Sequence, residues 1–229
     1  MELVLPSGTR ATIAAGEEPD RGLVVLPDVW GLRPLFDDLC HSLSARTGWT
    51  VVCPEPFPGR DLPGAGDPDG VTARFAALGE LRDDDLLGDA VAAADATGCD
   101  RVGLIGFCMG GMYALLGADR GRFDRIVSFY GMITVPADWQ GPGHREPLAA
   151  VARRNGTDVL AIIGTEDEWT PADQVDRLEA AGARVVRYEG AEHGFVHDPG
   201  RPAHRPDDAA DAWDRSLAFL AGVRPDRTG

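Results

Sequence analysis

Gly106-Phe107-Cys108-Met109-Gly110-Gly111 joins an apolar run, Val102-Gly103-Leu104-Ile105, to the helix-forming Met112-Tyr113-Ala114-Leu115-Leu116. The run before it reads as a buried strand and the run after it as a helix. A strand that turns into a helix at G-x-nucleophile-x-G holds its middle side chain on a sharp, strained corner. Glycines flank that corner because a Cβ beside it would clash. The middle residue here is cysteine, and a thiolate next to a helix N-terminus is a nucleophile. Gly-rich strand-to-helix turns also bind phosphate, and many cysteines are inert packing. A dinucleotide fingerprint, however, needs G-x-G-x-x-G at the first strand with an acid about 20 residues on, and this segment is in mid-chain without that spacing.

The rest of a triad follows in the order nucleophile, acid, histidine that α/β-hydrolases use. Asp158 to Gly164 reads as a buried strand, and Thr165-Glu166-Asp167-Glu168 follows it. Ala183 to Tyr188 reads as the next strand and leads into Glu189-Gly190-Ala191-Glu192-His193-Gly194-Phe195. Cys108, Asp167 and His193 thus all lie just past strand C-termini, the edge where open α/β sheets collect their chemistry. Cys108 is the candidate nucleophile, His193 its proton carrier and Asp167 the group that orients the imidazole. Glu166 and Glu168 are the alternative acids. The oxyanion hole is expected from the N–H of Met109 and an N–H of Pro27-Asp28-Val29-Trp30-Gly31, with Val29 the favoured donor.

With these segments in place the chain resembles the dienelactone hydrolase (carboxymethylenebutenolidase) family over roughly Leu23 to Leu220. The resemblance rests on Leu26-Pro27-Asp28-Val29-Trp30-Gly31, Val51-Val52-Cys53-Pro54-Glu55, the cysteine turn, Gly164-Thr165-Glu166-Asp167 and Ala191-Glu192-His193-Gly194-Phe195. It implies a Cys108–His193–Asp167 triad that opens lactones or cleaves esters through a thioester, with no metal and no other cofactor. Asp28 stands where the family carries a glutamate that contacts the cysteine and gates its ionisation. His197 stands where the member acting on dienelactone carries a substrate-binding arginine, and Arg74 lies near the position of a second one. The resemblance therefore implies the chemistry more than it implies dienelactone. Asp28, Trp30, Arg74, Tyr130, Phe195 and His197 are the candidate substrate-binding residues, with His197 at the pocket rim or surface. A broad small-acyl carboxylesterase or thioesterase, and a non-catalytic thiol sensor on the same scaffold, are the alternatives.

Strand and helix patterns alternate along the chain: strands near 23–26, 49–53, 101–105, 124–130, 158–163 and 183–188; helices near 34–46, 73–96, 109–117, 172–181 and 208–221. Alternation with Val-, Ile- and Leu-rich strands predicts the α/β-hydrolase fold, a mostly parallel sheet with helices on both faces and no large cap domain. Glu2 to Ala15 reads as an antiparallel hairpin at one edge. All 229 residues are expected to form one domain. Pro54 to Gly70 and Gly131 to Glu146 are the candidate pocket walls, the latter with Met132, Ile133 and Trp139. Arg224 to Gly229 reads as a frayed tail.

The net charge of −15 leaves no basic patch fit for nucleic acid. No stretch reaches the ~18 apolar residues of a membrane span, and the four cysteines show neither disulfide nor metal spacing. A cytoplasmic monomer or homodimer acting on a small ester or lactone is expected, without nucleic-acid or membrane partners. His193 and His197 have the H-x3-H spacing of some metal ligands, but the glycine between them and the following Asp198-Pro199-Gly200 predict a loop.

Overall fold

Leu23 and Val25 face one side of their strand and Val24 and Leu26 the other, and all four are buried. A strand apolar on both faces must lie inside a sheet covered on both sides. The computed structural model, which describes residues 1–18, 20–65 and 67–222, places it there. The expected C-terminal tail lies outside the described residues.

In chain order the elements begin β1 (Glu2–Val4), β2 (Arg10–Ala14), β3 (Arg21–Leu26), α1 (Pro34–Thr47) and β4 (Thr50–Pro54). Then come α2 (Gly70–Leu78), α3 (Asp83–Ala96), β5 (Arg101–Phe107), α4 (Met109–Leu116) and β6 (Arg125–Phe129). The last are α5 (Pro147–Arg153), β7 (Asp158–Gly164), α6 (Ala172–Ala180), β8 (Arg184–Tyr188) and α7 (Pro206–Ala221). One eight-stranded sheet runs β1-β2-β4-β3-β5-β6-β7-β8. Its last six strands in that order are parallel, and the β1–β2 hairpin adds antiparallel to β4. Phe36, Cys40 and Leu43 of α1 and Ala209, Ala212 and Leu217 of α7 cover one face. Residues of α3, α4, α5 and α6 fill the core on the other. Among the described residues no separate cap covers the sheet.

Two expectations need correction. The helix predicted near 73–96 is two helices, α2 and α3, separated by Gly79 to Arg82. Arg82 takes an extended backbone (φ −111°, ψ 121°), and the Asp83 N–H donates to the Gly143 carbonyl at 3.2 Å. Asp83, Asp84 and Asp85 then occupy the first turn of α3, where carboxylates favour a helix N-terminus. The expected strand–helix alternation also lacked α5, whose start is marked by Pro147 in the first helical turn, where the missing N–H costs nothing.

From β3 the chain turns one way to β4 and later crosses to β5 on the other side. That reversal opens a crevice past the carboxyl ends of β3 and β5, the usual place for a site in such a sheet.

Candidate active site

Cys108 sits in that crevice, between the end of β5 and the start of α4, with φ 55° and ψ −118°. This region is costly for a side-chain-bearing residue, on the order of 1–3 kcal/mol, and hydrogen bonds hold it there. The Cys108 N–H donates to the Phe129 carbonyl, and the Cys108 carbonyl accepts from the Met112 N–H, both at 3.0 Å. The glycines around it are places of backbone approach. A Cβ on Gly106 would meet the Gly110 carbonyl oxygen at 1.9 Å, and one on Gly110 would meet the Leu26 and Pro27 oxygens at 2.2 and 2.4 Å. The second contact presses the N-terminus of α4 against the loop after β3. It brings Met109 and Gly110 beside Leu26 and Pro27, just before the Asp28–Val29 segment. No acceptor among the described residues takes the N–H of Val29 or of Met109.

Asp167 follows β7 and His193 follows β8. The Nδ1–H of His193 donates to Asp167 Oδ2 at 2.9 Å, and the Trp169 N–H donates to Oδ1 at 2.9 Å. The Asp167 carboxylate is fully buried, whereas Glu166 and Glu168 are exposed. His193 Nε2 is buried and has no hydrogen-bond partner among the described residues. Burial, the largest influence on this imidazole, lowers its pKa; the charge of the nearby Cys108 sulfur and the bond to Asp167 overcome that and raise it to about 10.

A second network lies behind this pair. Asp28 accepts two bonds from Arg33, at 2.7 and 2.9 Å, and a third from the Trp30 N–H at 2.9 Å. His197 Nε2 lies 2.8 Å from Asp28 Oδ2, and Nδ1 lies 2.5 Å from the hydroxyl of Tyr130. Burial pulls the Asp28 pKa up, but the bonds from His197 and Arg33 hold it far below the ordinary carboxylate range. Among the described residues no hydrogen bond links Asp28 to Cys108. Tyr130 has a positive φ of 41° and packs its ring edge-on against His193, with centroids 5.2 Å apart.

Among the candidate substrate-binding residues, His197 is placed differently from expectation. His197 is not at a rim or surface but buried, with both ring nitrogens engaged. Tyr130 and Phe195 are fully buried; Phe195 packs between Tyr130 and Tyr188. Asp28 is saturated by its own partners. Arg74 is buried beneath the loop, donating to the Val29 carbonyl at 3.2 Å and stacking over Trp30 and Phe57. Trp30 and Arg74 line a cavity of about 470 Å³ walled by Phe57 to Leu62, and neither Cys108 nor His193 lines it. For all but Arg74, which lies on α2, the residue sits in a loop past a strand end, where distant partners decide which way the side chain turns.

Residues given no catalytic or substrate-binding role in the sequence also shape the site. Glu55 accepts from the Leu32 and Phe57 N–H groups at 3.0 and 2.9 Å, tying the loop after β3 to that after β4. Phe75, Trp139 and Trp169 form an aromatic wall with centroids 5.2 to 6.0 Å apart, and Trp169 lies 6.3 Å from the His193 ring. Trp139 lies in a segment expected to wall the pocket, whereas Phe75 and Trp169 carry no sequence signal of joining it.

The sheet and its cysteine turn define an α/β-hydrolase. Residues 9–223 match the dienelactone hydrolase family. The chain belongs to that family and is a lactone or ester hydrolase. It is 30% identical over 210 residues to carboxymethylenebutenolidase of Rhodococcus opacus, covering 86% of this chain and 79% of that protein. It is 28% identical over 216 residues to carboxymethylenebutenolidase of Pseudomonas putida, covering 88% and 86%. Among solved structures, a candidate dienelactone hydrolase of Klebsiella pneumoniae superposes with a TM-score of 0.81 at 23% identity, over 96% of this chain and 97% of that one. The dienelactone hydrolase-like promiscuous phosphotriesterase P91 from metagenomic libraries superposes at 0.71 and 18%, over 97% of each chain. At those identities the structural likeness carries the fold alone. Among the described residues no helix is long and apolar enough to cross a membrane.

Proposed function

We propose that the chain is a cysteine-dependent hydrolase of small lactones or esters, working through a thioester. The observation that carries this reading is the Asp167–His193 pair, whose free, buried Nε2 carries the influence of the Cys108 sulfur on its protonation.

The Cys108 thiolate attacks the acyl carbon and forms the C–S bond, while the carbonyl electron pair moves onto oxygen. The N–H groups of Met109 and Val29 receive that oxyanion, their donors unspent in the resting site. Collapse breaks the C–O bond, and the departing alkoxide takes the Nε2 proton of His193. The thioester no longer carries the thiolate charge that held the imidazole protonated. His193 is then a neutral base, able to take a proton from water as the oxygen attacks the thioester carbon. Loss of the thiolate frees the acid and restores the starting ion pair. Asp167 keeps the proton on Nδ1 and the ring in place throughout. Cys40, Cys53, Cys99 and Cys108 are all free thiols, which supports a reducing compartment such as the cytoplasm.

The test is turnover of an ester and lactone panel, dienelactone included, by the wild type and Cys108→Ala, with intact mass recorded during turnover. Activity lost in the variant, with an acyl adduct seen only on the wild type, is the expected result. Activity that survives in Cys108→Ala would overturn the mechanism.

A further inference from the structure

Beside His193 a cleft of about 400 Å³ is lined by Glu166, Glu168, Trp169, Glu192 and Arg201 together with Pro202 and Ala203. Three exposed carboxylates face one guanidinium there. Cations elsewhere around the site are already committed. Arg33 is held bidentate by Asp28, Arg74 is buried on the Val29 carbonyl, Arg60 pairs with Glu80, and His197 has no free ring nitrogen. Arg201, the one cation lining the cleft, packs across Gly194, where a Cβ would meet its guanidinium at 2.5 Å. The apolar wall is Trp169, 38% exposed, whose indole face attracts cations as readily as apolar groups. The chain as a whole adds a net charge of −15 to the same field.

We infer that this cleft selects by charge: the site takes esters whose far end is neutral or cationic and disfavours those that carry a carboxylate there. The inference rests on the thiol-hydrolase reading for the chemistry, but not for its own test. It separates this chain from an enzyme built to grip a substrate carboxylate, because Arg33, Arg74 and His197 are spent on the protein itself and Arg201 is outnumbered by three carboxylates in the cleft.

The experiment compares the rates at which Cys108 is labelled by two methanethiosulfonates, one ending in trimethylammonium and one in sulfonate. In each case the thiolate forms a disulfide with the reagent's sulfenyl sulfur and expels methanesulfinate. Cys40, Cys53 and Cys99 are buried, so Cys108 is the thiol that reports. The cationic-to-anionic rate ratio, divided by that of a small free thiol in the same buffer, is expected to be about tenfold at low salt and to fall toward one at about 0.5 M salt. Replacing the three exposed carboxylates together (Glu166→Gln, Glu168→Gln, Glu192→Gln) should remove most of the excess. Turnover of three matched aryl esters should rank cationic or neutral above carboxylate-bearing. A labelling ratio at or below that of the free thiol, or an excess that survives the triple replacement, overturns the inference. So does a carboxylate-bearing ester that is turned over fastest and is selectively lost in Arg201→Gln. Failure of the thiol mechanism looks different: ester turnover would persist in Cys108→Ala while the labelling ratio of the wild type stood unchanged.

Discussion

Removing the Cys108 sulfur should change the acid–base character of a residue that follows a strand three places along the sheet. His193 is held protonated up to a pKa of about 10 against a burial effect that favours the neutral ring, and the Cys108 charge is the foremost of the effects that raise it. A unit charge about 4 Å away at an effective dielectric of about 20 is worth roughly 4 kcal/mol, or about 3 pKa units. Cys108 is only partly buried, so water weakens that figure to about 2 units. In Cys108→Ala, His193 should therefore titrate near pH 8, about 2 units below the wild type. Nitrogen-15 NMR of the imidazole across pH 5 to about 11 resolves a shift of that size. The sign also matters for stability. A histidine whose folded pKa exceeds the unfolded 6.5 contributes stability in full below that pH and loses it as pH rises through about 10. In the alanine variant the loss should begin at the same unfolded pKa but be complete about 2 units earlier, so the total contribution is smaller. If His193 titrates at the same pH in both proteins, the ion pair is not what holds the proton. The account of how acylation converts His193 into a base would then fall with it.

Asp167→Asn should leave KM nearly unchanged and lower kcat by about 10³-fold or more, since it disturbs the imidazole tautomer rather than the pocket; kinetics on any accepted ester reads this. Asp28→Ala should cost about 3–5 kcal/mol in denaturant unfolding, because it strands Arg33 and His197 around a lost carboxylate. Its depressed folded pKa means that the stabilisation is present above about pH 4 and drains away as pH falls below that, so the wild type and the variant should converge in acid. Gly110→Ala drives a Cβ into two backbone oxygens at 2.2 and 2.4 Å; a loss of about 3 kcal/mol and of most activity is expected, measured by denaturation and turnover on the same preparation.

The parallel sheet was legible because its strands are short, apolar on both faces and punctuated by turn residues, and the edge hairpin because its two halves alternate around Pro6-Ser7-Gly8. The break between α2 and α3 was not legible, since 79–82 offers only a glycine within an otherwise helical composition, and the extended Arg82 answers to a loop 60 residues away. The cysteine turn, the acid and the histidine could be located by their place after strand ends, which chain order and strand period dictate.

What surrounds them could not. Whether His197 faces substrate or lies buried between Asp28 and Tyr130 depends on two loops meeting across 169 and 67 residues of chain. Arg33 claims Asp28, Arg74 folds under the Val29 carbonyl, and Phe75, Trp139 and Trp169 converge only once the sheet is built. Local periodicity follows from backbone geometry and survives translation into sequence. The direction of a loop side chain follows from burial and hydrogen-bond partners supplied by distant segments, and so only the tertiary structure decided it.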